Sequence, residues 1–158
     1  MRFTRTALFV SMCLGVLSPA TGETLHSAPG AMAPRAAPAD GLFPCQPDAR
    51  TLCLNHGRFE VTANFVAGSV SGDAQVVALT DDTGYLWFFS SDNVEIVVKV
   101  LDGCGVNGNY WVFAGGLTDV AVCLRVTDSQ TAGFVLACNR PNTPFQPIQN
   151  TSAFPTCP

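Results

Sequence analysis

Histidine, basic residues and recognised catalytic motifs are scarce in this sequence. Its 158 residues include two histidines and eight lysines and arginines, and no Gly-x-Ser-x-Gly, His-Glu-x-x-His or Cys-x-x-Cys segment. A catalytic nucleophile needs a base beside it, and a glycosidase needs two facing carboxylates, whereas most acidic residues here fall in turn-forming segments. We therefore predict that the protein is not an enzyme and has no catalytic residue, no metal site and no cofactor.

Hydrophobic runs long enough to cross a membrane are also missing. A membrane-spanning helix needs about 20 apolar residues, and the apolar stretch near the N-terminus, Ala7 to Leu17, is shorter than that. It follows two arginines and precedes the small residues Ala20 and Gly22, which completes the three-part pattern of a secretory signal. We predict that residues 1–22 are a signal peptide and that the mature chain is secreted, extracellular or periplasmic, with no membrane span.

Positive charge is too sparse for a nucleic-acid partner. Removal of the two N-terminal arginines shifts the formal net charge from −4 to −6. Binding to a phosphate backbone needs a clustered basic patch. The remaining cations are instead scattered along the chain, at Arg35, Arg50, Arg58, Lys99, Arg125 and Arg140.

The chain divides by composition into a spacer and a domain. Residues 23–44 are rich in alanine, proline and glycine and hold few large apolar side chains. Such a segment cannot bury enough surface to offset the entropy lost on ordering. We therefore predict a disordered spacer over 23–44 and one folded domain over 45–158.

The domain shows the period-two alternation of β-strands with one buried face. Apolar and polar residues alternate without a fault from Arg58 to Phe65. Further strands are predicted over residues 76–79, 85–89, 94–101, 109–114, 119–127 and 134–138. About seven short strands separated by turns predict an all-β fold, an antiparallel β-sandwich of immunoglobulin-like type. A small antiparallel β-barrel is the alternative.

An even number of cysteines in an exported chain indicates disulfides. Six cysteines follow the signal peptide: Cys45, Cys53, Cys104, Cys123, Cys138 and Cys157. If Val126 faces Val135 across the turn of the last hairpin, Cys123 lies directly opposite Cys138, so we predict that these two are bonded. The other four cysteines allow three pairings. Their positions favour Cys53–Cys104 with Cys45–Cys157.

The same register directs Phe134 and Leu136 outward, and an apolar outer face needs a cover or a partner. The tail over residues 142–149 carries Phe145 and Ile148 and could fold back over that face, with Cys157 fixing its end. We therefore predict that the tail covers this sheet.

Aromatic side chains recur on two predicted strand faces. Tyr85, Trp87 and Phe89 share one face, and Trp111 shares another with Phe113. Such rows form either core packing or a platform for sugars or a protein partner. We predict a non-enzymatic module with a binding or structural role, whose partner is another extracellular protein or a glycan. A secreted protease inhibitor that uses the loop over residues 102–109 is a further alternative.

Five segments of the chain form a recognisable pattern: residues 51–59, 79–89, 93–120, 126–131 and 143–149. Together they resemble a recurrent, uncharacterised module of exported bacterial proteins. The resemblance covers about residues 45–158 and is most specific over Asn93 to Val120. It implies export and a compact β module, but no activity. The chain departs from that pattern in having Cys123 together with Cys138.

Overall fold

The computed structural model describes residues 43–158, so the predicted signal peptide and residues 23–42 of the predicted spacer lie outside the described part. Two antiparallel sheets pack face to face, and together they contain ten strands. The predicted all-β sandwich is therefore confirmed. Over residues 43–158, no helix has the length and apolarity that crossing a membrane requires.

Both sheets have five strands. The first sheet has the order β1-β2-β8-β9, with β3 also paired to β2, and the second has the order β10-β7-β6-β5-β4. The elements are β1 (Leu52–Leu54), β2 (Phe59–Ala67), β3 (Val70–Asp73), β4 (Gln75–Ala78), β5 (Thr83–Trp87), β6 (Ile96–Gly103), α1 (Cys104–Asn107), β7 (Asn109–Gly116), β8 (Ala121–Asp128), β9 (Phe134–Cys138) and β10 (Ile148–Phe154).

The core lies between the sheets and is built from alternate residues of the central strands. In β2 the inward side chains are Phe59, Val61, Ala63 and Phe65, and each of them is buried. The facing strand β6 contributes Ile96, Val98 and Val100, and β8 contributes Val122, Leu124 and Val126. Burial of one such large apolar side chain contributes roughly 1.5–3 kcal/mol relative to leaving it exposed.

The seven predicted strands correspond to β2 and to β4 through β9, while β1, β3 and β10 add three more. The additional strands have weak sequence signals. Strand β1 has only three residues, and all four residues of β3 are exposed, so β3 has no apolar alternation. Strand β10 is mostly polar in its middle, over Gln149 to Ser152. These strands are stabilised by pairing with β2 or β7, which their own sequences do not indicate.

The structure confirms one predicted disulfide and corrects the other two. Cys123 and Cys138 are opposed on β8 and β9 and are bonded. The pairing Cys53–Cys104 with Cys45–Cys157 is wrong, because the bonds are Cys45–Cys53 and Cys104–Cys157.

Sheet order explains the corrected pairing. Cys53 lies on β1 at an edge of the first sheet, whereas Cys104 follows β6 in the second sheet. Strand β10 pairs with β7, the neighbour of β6, and so brings Cys157 to Cys104. Cys45 donates its backbone N–H to Gly57 at 2.8 Å, which lays the start of the domain along the β1–β2 turn and beside Cys53.

The prediction that the tail covers the outer face of the first sheet is also wrong. The tail instead forms β10 at the edge of the second sheet, and Phe145 enters the core with 4% exposure. Gly116 makes room for that ring, since a Cβ at Gly116 would lie 2.4 Å from the Phe145 Cβ. Phe134 and Leu136 remain 55% and 56% exposed.

A buried polar cluster joins the C-terminal segment to the first sheet. Arg58 Nη2 lies 3.2 Å from Asp128 Oδ2, and the Thr156 hydroxyl donates to the same oxygen at 2.6 Å. Arg58 also donates to the Tyr110 hydroxyl at 3.1 Å and to the Thr156 carbonyl. We name Arg58, Asp128, Thr156 and Tyr110 the buried cluster. It ties the strands to a residue beside Cys157.

Acid is expected to destabilise the fold through Asp128. Burial raises the pKa of this carboxyl, but hydrogen bonds from Thr156, the Gln130 backbone and Arg58 outweigh it and hold the pKa below 3.8. A carboxyl with a depressed folded-state pKa stabilises the fold above its unfolded pKa, and this contribution disappears as pH falls through the folded-state pKa. The free energy of unfolding, measured in urea, should therefore fall below about pH 4.

The variants Asp128→Asn and Asp82→Asn show how much each carboxyl contributes to the fall of the unfolding free energy with decreasing pH. Hydrogen bonds from Lys99, Thr80 and Thr83 also depress the pKa of Asp82, so each carboxyl adds its own part. Each variant should reduce this pH dependence in part. A pH dependence unchanged by Asp128→Asn would contradict the role assigned to Asp128.

Candidate functional site

The outer side of the second sheet is mainly apolar across β4 to β7. Inward residues of β5, β6 and β7 are buried, so the residues between them point outward. Across the strands Val77 is opposite Tyr85, Tyr85 is opposite Val97, and Leu101 is opposite Trp111. We name this surface the apolar face; its members are Val77, Tyr85, Trp87, Val97, Leu101, Trp111 and Phe113.

The structure places three predicted site residues on this face, all of them half-buried and outside the core cluster: Tyr85, Trp87 and Trp111. Tyr85 and Trp87 lie on β5, and Trp111 lies two strands away on β7. From strand spacing, Tyr85 and Trp111 are about 16 Å apart. Phe89 is not part of the row, because β5 ends at Trp87 and the Phe89 ring lies 5.3 Å from the Phe65 ring.

The outer side of the first sheet provides a comparison within the same molecule. Its central strands β2 and β8 direct mainly polar residues outward, which is the usual state of an antiparallel sheet that faces water. These residues are Glu60, Thr62, Asn64, Arg125 and Thr127. The apolar face of the second sheet is therefore an exception that needs its own explanation.

Trp111 is fixed in place by a glycine and by the helical turn α1. Its indole lies against Gly103, where a Cβ would be 2.2 Å from Nε1. Nε1 donates to Asn107 Oδ1 at 2.8 Å, and Asn107 Nδ2 donates to the Thr151 carbonyl at 2.8 Å. The orientation of this ring therefore depends on both α1 and β10.

Charge on the apolar face is confined to Lys99, which already has a partner. Lys99 Nζ lies 2.9 Å from Asp82 Oδ2 and donates to the Thr83 hydroxyl at 3.2 Å. Asp82 also accepts hydrogen bonds from the hydroxyls of Thr80 and Thr83. Together with Lys99 these bonds hold the pKa of Asp82 far below its usual value. The face therefore offers no net charge to a ligand.

The chain matches no protein-family model, no curated protein and no solved structure. The resemblance to a module of exported bacterial proteins stays a prediction.

The members of the face that sequence reasoning missed are Val77, Val97 and Leu101. A signal for two of them exists in β6, because the run from Ile96 to Leu101 is apolar on both faces except at Lys99. A strand that has only one buried face should alternate instead. Apolar residues on both faces of one strand therefore indicate either a strand buried on both sides or a surface used for binding.

The two other candidate regions are less suited to chemistry or inhibition. The predicted inhibitor loop, residues 102–109, contains the helical turn α1 beside the Cys104–Cys157 bond, whereas peptide recognition by strand addition needs an extended backbone. A cavity of about 410 Å³ near His56 includes Ser129, but the Ser129 hydroxyl donates to the Arg58 carbonyl at 2.8 Å. Within residues 43–158, no group of three or more His, Cys, Asp or Glu side chains could hold a metal ion.

Proposed function

We propose that the protein is an exported, non-enzymatic binding module and that its apolar face binds another extracellular protein. The observation that carries this proposal is a contrast between central strands: β2 and β8 of the first sheet direct mainly polar residues outward, whereas the second sheet is mainly apolar outward across β4 to β7. Contiguous exposed apolar surface on a soluble domain marks sites of interaction. The three disulfides of the described domain are typical of extracellular proteins and support the export part.

The composition of the face favours a protein over a glycan. Sugar recognition combines aromatic rings with polar groups that are free to bond hydroxyls. Here the Trp111 indole N–H is bonded to Asn107, and the Lys99 ammonium is bonded to Asp82 and Thr83. The aliphatic residues Val97 and Leu101 flank Lys99 on β6, and Trp111 meets Phe113 edge-on with ring centroids 6.4 Å apart. A broad, partly aliphatic surface whose one cation is already paired suits the apolar patch of a protein partner.

The aromatic residues keep a glycan as the second candidate. Tyr85 and Trp87 lie side by side along β5, next to the amide of Gln75 on β4. Stacking on such rings together with amide contacts is a common way to hold a sugar. This candidate predicts that Trp87→Ala removes binding to an oligosaccharide, measured by the change in tryptophan fluorescence.

The variant Val97→Lys tests the proposal directly. Val97 lies beside Tyr85 and at 39% is the most exposed member of the apolar face, so a variant with lysine there should fold but place a charge in any interface. Extracellular proteins captured on the immobilised mature domain should be identified, and the affinity of each purified partner measured by calorimetry. We expect Val97→Lys to weaken binding at least about tenfold, because it buries a charge in the interface and removes an apolar contact.

A matched control places the same charge on the polar surface. Asn64 is exposed on the outer side of β2 in the first sheet, and Asn64→Lys should bind as the unaltered protein does. Equal binding by both variants would remove the apolar face from the proposal. If the protein binds a glycan panel and only Val97→Lys abolishes that binding, the apolar face is a glycan-binding surface, as the second candidate proposes.

A further inference from the structure

Strand β9 has an open edge, and the hydrogen bonds of its hairpin show which backbone groups point to it. Asp128 donates its N–H to the Gly133 carbonyl at 2.8 Å, and Asn139 donates to the Val122 carbonyl at 3.1 Å. Directly opposed residues of an antiparallel pair alternate between exchanging hydrogen bonds and not exchanging them. Phe134, Leu136 and Cys138 therefore belong to pairs that exchange none. Their N–H and C=O groups point away from β8.

The same residues expose apolar side chains. Phe134 and Leu136 are 55% and 56% exposed on the outer side of the first sheet, and β9 contains no charged residue. An edge strand with free backbone groups, apolar side chains and no charge is a template for pairing with another strand.

The other edges of the sandwich carry features that hinder such pairing. Strand β10 has a register shift between Asn150 and Phe154 and a proline on each side of it. Strand β4 is covered in part, because the Val76 N–H donates to the Ala49 carbonyl at 3.0 Å. Strands β1 and β3 have only three and four residues. Among the described edges, β9 alone lacks these protections.

We propose that β9 pairs antiparallel with β9 of a second copy of this chain. Leu136 then lies opposite the partner's Leu136, and Phe134 lies opposite the partner's Cys138. Phe134 and Cys138 are equally far from Leu136 along the strand, so a two-fold axis beside Leu136 relates the two copies. The backbone groups that point away from β8 then form about six hydrogen bonds between the two strands. The first sheets of the two copies join into one continuous sheet.

Charge and geometry favour a second copy as the occupant. Arg125 lies beside this edge, and its guanidinium carbon is 4.3 Å from the centroid of the Phe134 ring. The two copies of Arg125 are separated by three strand spacings, about 14 Å. That distance exceeds the Debye length at physiological salt, about 8 Å, so their repulsion is screened. The two-fold axis also directs both apolar faces to the same side of the dimer, which makes the dimer bivalent.

Sedimentation velocity of the mature protein over a range of concentrations tests this proposal. The unaltered protein should sediment as a dimer that dissociates on dilution. Leu136→Lys sets two positive charges opposite each other across the axis, and Leu136→Glu sets two negative ones, so each variant should sediment at the monomer mass. An equimolar mixture of the two variants should recover the dimer, because opposite charges then face each other.

The control is Val66→Lys, which replaces another exposed aliphatic residue on the same side of the same sheet, on β2 and away from the open edge. It should dimerise as the unaltered protein does. A monomer at every concentration of the unaltered protein would overturn the proposal. A dimer that survives Leu136→Lys would overturn it too, and so would a dimer lost equally in Val66→Lys. Circular dichroism and thermal melting confirm that each variant is folded.

Discussion

Asp128→Ala is expected to lower the free energy of unfolding by about 3–5 kcal/mol, because it leaves the Arg58 guanidinium buried without its counter-charge. The Asp128 side chain has 0% exposure and the Arg58 side chain 10%, so water cannot replace the lost partner. The change also removes the acceptor of the Thr156 hydroxyl and of the Gln130 backbone N–H. Urea unfolding followed by tryptophan fluorescence measures the loss.

Two controls show whether the loss comes from burial of an unpaired charge. Replacing both partners with apolar residues, Arg58→Met with Asp128→Leu, should cost clearly less than the two single changes added together. Asp82→Ala breaks the partly exposed ion pair with Lys99 and should cost about 1 kcal/mol. A loss for Asp128→Ala no larger than that for Asp82→Ala would show that the buried cluster contributes little.

The C-terminal segment connects stability with the proposed binding surface. Thr156 enters the buried cluster, Cys157 is bonded to Cys104, and Thr151 accepts the hydrogen bond of Asn107 that in turn holds Trp111. Strand β10 therefore supports one end of the apolar face although none of its side chains belongs to that face. Contacts that keep the tail in place also keep Trp111 oriented.

Much of the fold follows from local patterns in the sequence. The faultless alternation from Arg58 to Phe65 predicts β2, and opposing Val126 to Val135 places Cys123 opposite Cys138. Both inferences need only the two-residue period of a strand and a short hairpin turn. Residues close in sequence and joined by one turn have few alternative arrangements, so local information is sufficient for them.

The features that local reasoning misses depend on sheet order. Arg58 and Asp128 are 70 residues apart and meet because β2 pairs with β8. Cys104 pairs with Cys157 because β10 adds to β7, and the polar sequence of β10 gives no sign of that position. The apolar face has the same origin, since its members come from β4 to β7 and become neighbours only when the sheet forms.

The double variant Cys104→Ala with Cys157→Ala is expected to lower the free energy of unfolding by about 4 kcal/mol in the chain-entropy model. Its cysteines are 53 residues apart, against 15 for Cys123–Cys138 and 8 for Cys45–Cys53. The same model gives about 3 and about 2.5 kcal/mol for those two bonds, so the three double variants should follow that order.

A second readout separates the loss of a cross-link from the release of the tail. Without Cys104–Cys157, α1 and the end of β10 lose their covalent connection, and the Asn107 contact that orients Trp111 weakens with them. Tryptophan fluorescence of the native state should therefore change in this variant and stay unchanged without Cys123–Cys138, which lies on the other sheet. Equal spectra, or equal stability losses for the two variants, would contradict the role given to the tail. The tail would then contribute little to the stability of the domain or to the orientation of Trp111.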